Sequence, residues 1–247
     1  MTETKPNGTQ FEGKEEYVRS VFTEIAPYYD EMNDTMSLGM IRRWHRFMMR
    51  LAGDVRSKRC LDVGTGTGEI ALMLAGEGGE VTGVDITPRM LEAAREKAAA
   101  RGPPAGVRFE LGDALDLPYG DGSFDVVTSG YMLRNVTDIQ RSIDEMHRVL
   151  APGGRVVVAE LCKPDNRVVR FFYEKHLKYR VSRPGRRRDG GVAIGGRQPA
   201  YEWLTSSVEG FPHGREMAAK FSAAGFEDVR FYSKTFGAVN IYAGRKA

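Results

Sequence analysis

The sequence predicts an α/β chain built on a doubly wound, seven-stranded sheet, mostly parallel and closed by an antiparallel hairpin. Three observations carry this prediction. The apolar run Cys60-Leu61-Asp62-Val63 enters a loop with glycines at alternate positions, Gly64, Gly66 and Gly68, and a helical pattern follows at once. Short β-type runs then alternate with helical stretches as far as Glu160, the pattern of a parallel sheet covered by helices on both faces. Two further β-type runs, 226–232 and 236–242, are separated only by 233–235, a link too short for anything but antiparallel pairing. The expected architecture is Rossmann-like, with a helical lid in front of it.

The elements follow in order. Residues 1–14 are polar and read as a disordered N-terminus; Met1 to Gln10 lacks the apolar segment of a signal peptide. Residues 15–247 read as one domain, with 15–57 as the helical lid. There Val18, Val21, Phe22, Ile25 and Ala26 recur at helical spacing, Pro27 interrupts, and Ile41, Trp44, Phe47, Met48 and Leu51 form a second stripe. The core, 58–161, starts with a strand at Arg59 to Val63 and a helix from Glu69 to Ala75. A strand at Glu80 to Val84 runs into Asp85. Thr87 caps a helix with Pro88 at its first position. Strands at Val107 to Leu111 and Phe124 to Thr128, a helix at Asp138 to Leu150, a turn at 151–154 and a strand at Arg155 to Glu160 complete it. In 162–247, Val168 to Tyr179 is an aromatic-rich helix, and 180–197 is a glycine- and arginine-rich break. Tyr201 to Val208 and Gly214 to Ala224 are short helices before the closing strands.

Composition bounds the function. A chain of 247 residues with 41% hydrophobic content sustains one sizeable core. A net charge of +3 gives no global reason to bind nucleic acid, and no base-flipping motif is present. No apolar run reaches the roughly 20 residues that span a bilayer, so a cytoplasmic protein is expected, with peripheral contact at the inner face of the membrane left open. Cys60 and Cys162 read as small buried hydrophobes, and no Cys/His cluster has metal-ligand spacing. His45, His147, His176 and His213 have no evident partner, and His147 reads as a surface residue.

The loop suggests which nucleotide binds. Dinucleotide sites read G-x-G-x-x-G and seat a pyrophosphate at the helix N-terminus. Here Glu69 stands where the third glycine would fall, and Asp62 adds a second carboxylate just before the loop. Both would repel a phosphate and suit a cationic ligand. S-adenosylmethionine (SAM) carries a sulfonium and an ammonium but no phosphate, and its ribose hydroxyls suit Asp85.

From Val21 to Ala247 the chain resembles the C-methyltransferases of quinone biosynthesis. The stretch Phe22 to Gly39, with Ile25-Ala26, Tyr29-Asp30, Met32-Asn33-Asp34 and Met36-Ser37, is similar to the family's N-terminal signature. Leu133-Arg134-Asn135-Val136-Thr137-Asp138 is similar to its second. Arg148-Val149-Leu150-x-Pro152-Gly153-Gly154 and Ala224-Gly225-Phe226 are shared more widely. The resemblance implies SAM as cofactor, held by Asp62, Gly64, Thr65, Gly66, Thr67, Asp85, Ile86, Asp113, Ala114 and Gly130, with no metal. Three departures stand out: Gly130 where the family often has Ser, Ile41 where His is expected, and the segment 183–197.

The implied reaction methylates a ring carbon of a prenylated quinol, demethylmenaquinol foremost. It needs stabilisation of a phenolate, a phenol having a pKa near 10, and removal of the ring proton. The resemblance places Arg134 and Asn135 at the acceptor, with Arg134 holding the quinol oxygens or a water; the other reading is that the pair caps the loop through hydrogen bonds to backbone. Tyr29 and Asp30 belong to the lid, and Asp30 orients the acceptor or takes a proton. Glu160 reads more readily as a surface carboxylate at a strand end than as a site residue. Phe171, Phe172, Tyr173, Leu177 and Tyr179 read as core or pocket wall sooner than as a membrane-inserting face. Arg183, Arg186, Arg187 and Arg188 read as a solvated loop or a contact for anionic lipid. A homodimer is left open. The alternatives are an O- or N-methyltransferase of a soluble metabolite and an inactive SAM-binding assembly partner.

Overall fold

The computed structural model describes residues 12–102, 106–164, 166–176, 202–203, 206–208 and 210–247. Seven strands form one sheet: β1 (Arg59–Val63), β2 (Glu80–Asp85), β3 (Val107–Leu111), β4 (Phe124–Gly130), β5 (Leu150–Leu161), β6 (Glu227–Lys234) and β7 (Val239–Arg245). Their order is β3-β2-β1-β4-β5-β7-β6. The first five pair in parallel, and β7 is antiparallel to both β5 and β6. The strand order reverses between β1 and β4, which run parallel, and this is the switch point at which open α/β sheets bind ligands.

Alternation along the strands builds two cores. Cys60 of β1 and Val157 and Ala159 of β5 face one layer; Leu61 and Val63, with Val156 and Val158, face the other. The first layer is covered by α3 (Ile41–Ala52), α4 (Glu69–Gly76) and α5 (Pro88–Arg101). The second is covered by α6 (Ile139–Val149) and α8 (Arg215–Ala223). Both cysteines are buried free thiols, and burial pushes each up to about 12, as befits small hydrophobes.

The lid begins with α1 (Lys14–Ile25), a single turn at Ala26–Tyr28 bearing Pro27, and α2 (Tyr29–Ser37). Val18, Val21, Ile25 and Ala26 are buried with Met32 and Met36 in a third cluster, as the helical stripe requires. Lys14 falls one residue inside the segment expected to be disordered, yet it opens α1 and is buried.

Other differences are local. Leu150 pairs with Phe124 before the chain loops out, and Arg155 rejoins opposite Val126, so β5 starts earlier than expected. Asp138 caps α6 by accepting from the Arg141 amide at 3.0 Å. Thr87 holds the N-cap position of α5 without a capping bond from its side chain. The helix α7 (Arg167–His176) leaves Phe171 and Phe172 exposed, against the expectation of pocket wall, while Tyr173 packs on the lid cluster. Helices turn one face to the core, and α7 buries no residue fully. His147 is half-buried against Phe226, with ring centroids 4.9 Å apart, and is no free surface residue. Leu177, Tyr179 and the segment 183–197 lie outside the described residues.

Candidate active site

The glycine loop sits at the switch point. Gly64 and Gly68 both have positive φ, and a Cβ on Gly64 would run into the Met132 side chain. Asp62 is buried behind the loop and accepts from Thr65 Oγ1 and Thr128 Oγ1, each at 2.7 Å. It ties the loop to β4. Burial pushes its carboxyl from 3.8 up to about 6. Between those values the folded chain holds a proton that the unfolded chain has released, so this group makes stability fall as pH rises from 3.8 to about 6. The shift corresponds to about 3 kcal/mol. Asp62→Asn is therefore expected to gain stability relative to the natural chain between pH 4 and 7. Urea denaturation across that range checks this, and parallel curves would refute it.

Asp85 ends β2 and is half-buried. Its Oδ2 accepts from the Gly66 amide and its Oδ1 from the Thr87 amide, both at 2.9 Å. Burial raises its pKa. Each oxygen keeps a further lone pair for a ligand hydroxyl. Asp85, Ile86, Asp113 and Ala114 line a cavity of about 760 Å³ together with Glu15, Val18 and Phe22 of α1. Asp113 Oδ1 accepts from the Leu115 amide at 2.9 Å, which shapes the turn after β3.

A second cavity of about 810 Å³ lies on the other side of the loop. Asp62, Thr65 and Thr67 line it with residues of α2 and α3. Tyr29, Gly64, Gly66, Gly130 and Tyr131 border both cavities. Gly130 has a local reason to lack a side chain: a Cβ there would lie 2.5 Å from Ile70 Cδ1.

The lid is clasped to the loop. Asp30 is exposed, accepts from Thr67 Oγ1 at 2.6 Å, and forms an ion pair with Lys97 at 2.5 Å. Lys97 also donates to Thr67 Oγ1 at 2.9 Å. Asp30 is thus engaged in holding the lid and is not a free proton acceptor. Lys97 was not foreseen; its signal is its spacing from Arg101, one turn apart on α5. Both reach Glu69, at 3.4 and 2.9 Å, so the protein's own cations answer that carboxylate. Lys14 makes a second clasp, donating to the carbonyls of Val136 at 2.6 Å and Arg134 at 3.4 Å. Burial pulls its amine down to about 8.

The second signature bonds to the backbone of its own loop, the alternative to contact with the acceptor. Arg134 is buried and lines neither cavity. It pairs with Glu160 at 2.6 Å, donates to the Tyr131 carbonyl, and reaches Ser207 Oγ at 3.2 Å. Glu160, expected at the surface, is fully buried. Burial pushes its carboxyl up and the guanidinium pulls it back. Asn135 borders the first cavity, donates to the Tyr131 carbonyl at 3.2 Å, and accepts from Trp203 Nε1 at 3.2 Å. Arg134 and Asn135 therefore hold Tyr131, whose φ of 61° is the left-handed conformation that a tyrosine adopts only when its surroundings impose it. Tyr29 stands between the cavities, and burial raises its phenol pKa.

The chemistry of these groups fits SAM: a carboxylate for ribose hydroxyls, a loop open to close approach, and a cavity on each side of it. A doubly wound sheet with this strand order, an acid ending β2 and this loop at the switch point define a SAM-dependent methyltransferase. The protein is similar in fold to a SAM-dependent methyltransferase from Aquifex aeolicus, with a TM-score of 0.57 and 17% identity over 82% of this chain and 89% of that one. The sequence profile of the ubiE/COQ5 methyltransferase family matches residues 10–246. The chain belongs to that family. It is 43% identical to the demethylmenaquinone methyltransferase of Thermus thermophilus, over 91% of this chain and 99% of the relative. It is 36% identical to the ubiquinone/menaquinone biosynthesis C-methyltransferase UbiE of Geobacter sp. strain M21, over 94% and 97% respectively.

Proposed function

We propose that the chain transfers the SAM methyl group to a ring carbon of a prenylated quinol, with demethylmenaquinol as the acceptor. The carrying observation is the first cavity, whose lining combines Asp85 and Asp113 with the apolar Val18, Phe22 and Val136. When bound, SAM supplies an electrophilic methyl on a sulfonium. Asp85 and Asp113 orient the nucleoside. Tyr29 is protonated at neutral pH, all the more since burial raises its pKa, and its hydroxyl donates a hydrogen bond to a ring oxygen of the quinol. Arg134 acts at one remove: it positions Tyr131, its own charge being met by Glu160. The two clasps, Asp30 with Lys97 and Lys14 with Val136, close the lid over both substrates and exclude water.

Incubation with methyl-labelled SAM and demethylmenaquinol tests this reading. Label on the ring carbon is the expected outcome. Label on oxygen, or none with active cofactor binding, would replace it with methylation of another acceptor. A prenylated acceptor also implies contact with a bilayer surface. Val168, Phe171 and Phe172 of α7 are exposed beside Arg167 and Lys175, a combination suited to an anionic membrane. Among the described residues no helix is long and apolar enough to cross one.

A further inference from the structure

Two buried polar side chains have no hydrogen-bond partner among the described residues and border the same cavity. His45 on α3 is 4% exposed with both ring nitrogens unpaired, and Tyr131 is 7% exposed with its hydroxyl unpaired. Their rings are 5.9 Å apart. Buried polar groups in folded chains are almost always satisfied, so a pair of orphans on one cavity wall marks a place where a ligand completes the bonding.

Position and charge say which ligand atoms these are. Resting on the SAM reading, the nucleoside end lies by Asp85 and Asp113 in the first cavity. Gly64, Gly66 and Gly130 border both cavities, so the remainder of a SAM-sized molecule extends past them into the second. That remainder is a zwitterionic amino acid. Most charged groups of the second cavity are already engaged. Asp30 is paired with Lys97, Glu69 with Arg101, and Asp62 accepts from two hydroxyls. His45 and Tyr131 are not, and of the other charged residues lining the cavity Arg42 is positive and the exposed Asp34 negative. A neutral imidazole offers one N–H and a phenol one O–H. Burial pulls the His45 pKa down to about 4, so the ring is neutral at pH 7.

We infer that His45 and the Tyr131 hydroxyl bind the α-carboxylate of the cofactor's amino-acid end, one N–H and one O–H to its oxygens. Arg134 and Asn135 then have a defined purpose, since they fix the Tyr131 backbone in the conformation that sets its ring beside His45.

Calorimetric titration of two cofactor analogues tests this. S-adenosylhomocysteine keeps the amino-acid end; 5′-methylthioadenosine lacks it and shares the rest. Tyr131→Phe and His45→Phe are each expected to weaken S-adenosylhomocysteine by about tenfold or more, as loss of a bond to a charged group does. Binding of 5′-methylthioadenosine should stay within about twofold, and His45→Gln, which keeps a donor, should recover much of the loss. Equal loss of both analogues, or no loss of either, in variants that melt like the natural chain would overturn the inference. A selective rise in KM for the quinol with unchanged analogue binding would assign the pair to the acceptor and overturn it too. A natural chain that binds neither analogue would instead sink the SAM reading beneath it.

Discussion

Arg134→Ala is expected to lose about 3 to 5 kcal/mol of stability, because it strands a buried carboxylate. Glu160 is 0% exposed and 2.6 Å from the guanidinium, and its other polar contacts are to the backbone amides of Arg134 and Leu161. The same substitution removes the side-chain donor that holds the Tyr131 carbonyl, so a strained backbone is freed to relax. Methyl transfer should fall by about 100-fold, the scale on which small misplacements of reacting groups act. The double substitution Arg134→Met/Glu160→Leu separates the two effects. Replacing a buried ion pair by apolar groups of similar size is often neutral, so stability should largely return while activity should not. Urea denaturation and initial rates on the three chains check this. A denaturation midpoint for Arg134→Ala equal to that of the natural chain would refute the burial argument.

The contrast between Arg134 as expected and as placed shows what a sequence can carry. Periodicity is a local signal, and it located the strands because each is only five to twelve residues long and alternates between two layers. The loop, Asp85 and Asp113 were legible for the same reason: backbone geometry fixes their place at strand ends. The pairing of side chains far apart in the chain was not. Glu160 reads as exposed because a lone carboxylate at a strand end normally is; its burial depends on a guanidinium 26 residues away. Lys97 and Lys14 escaped notice similarly, since lysines on amphipathic helices usually face water, and only the closed lid brings Asp30 and the Val136 carbonyl to them. His45 was hidden by its neighbours. Trp44 and Met48 define the buried stripe of α3, and a histidine beside them carries no mark of whether it faces core or cavity.

Asp85→Ala should have the largest effect on the cofactor, and its two roles are separable. The carboxylate first shapes the site: it holds the Gly66 amide and the Thr87 amide at 2.9 Å each, so it links the glycine loop to the start of α5. On the proposed reading its remaining lone pairs go to the ribose hydroxyls. Each bond to a charged acceptor is worth about 1.5 to 3 kcal/mol, and losing two to the ligand should weaken S-adenosylhomocysteine by at least about 100-fold. Adenosine binding should fall alongside, because the lost contacts belong to the nucleoside. This is the opposite pattern from substitution of His45 or Tyr131, which acts only on analogues with an amino-acid end. Asp85→Asn keeps one acceptor oxygen, and so one of the two amide bonds, and should sit between Ala and the natural chain for both ligands. Charge removal also relieves the ionised form that burial disfavours in the folded chain, a gain at neutral pH set against the one amide bond that Asn cannot accept. Tighter folding with weaker binding in Asp85→Asn, measured by urea denaturation and calorimetry on the same preparation, is the joint signature of a carboxylate kept for its ligand. Weaker folding with unchanged binding would mean that it serves the loop alone.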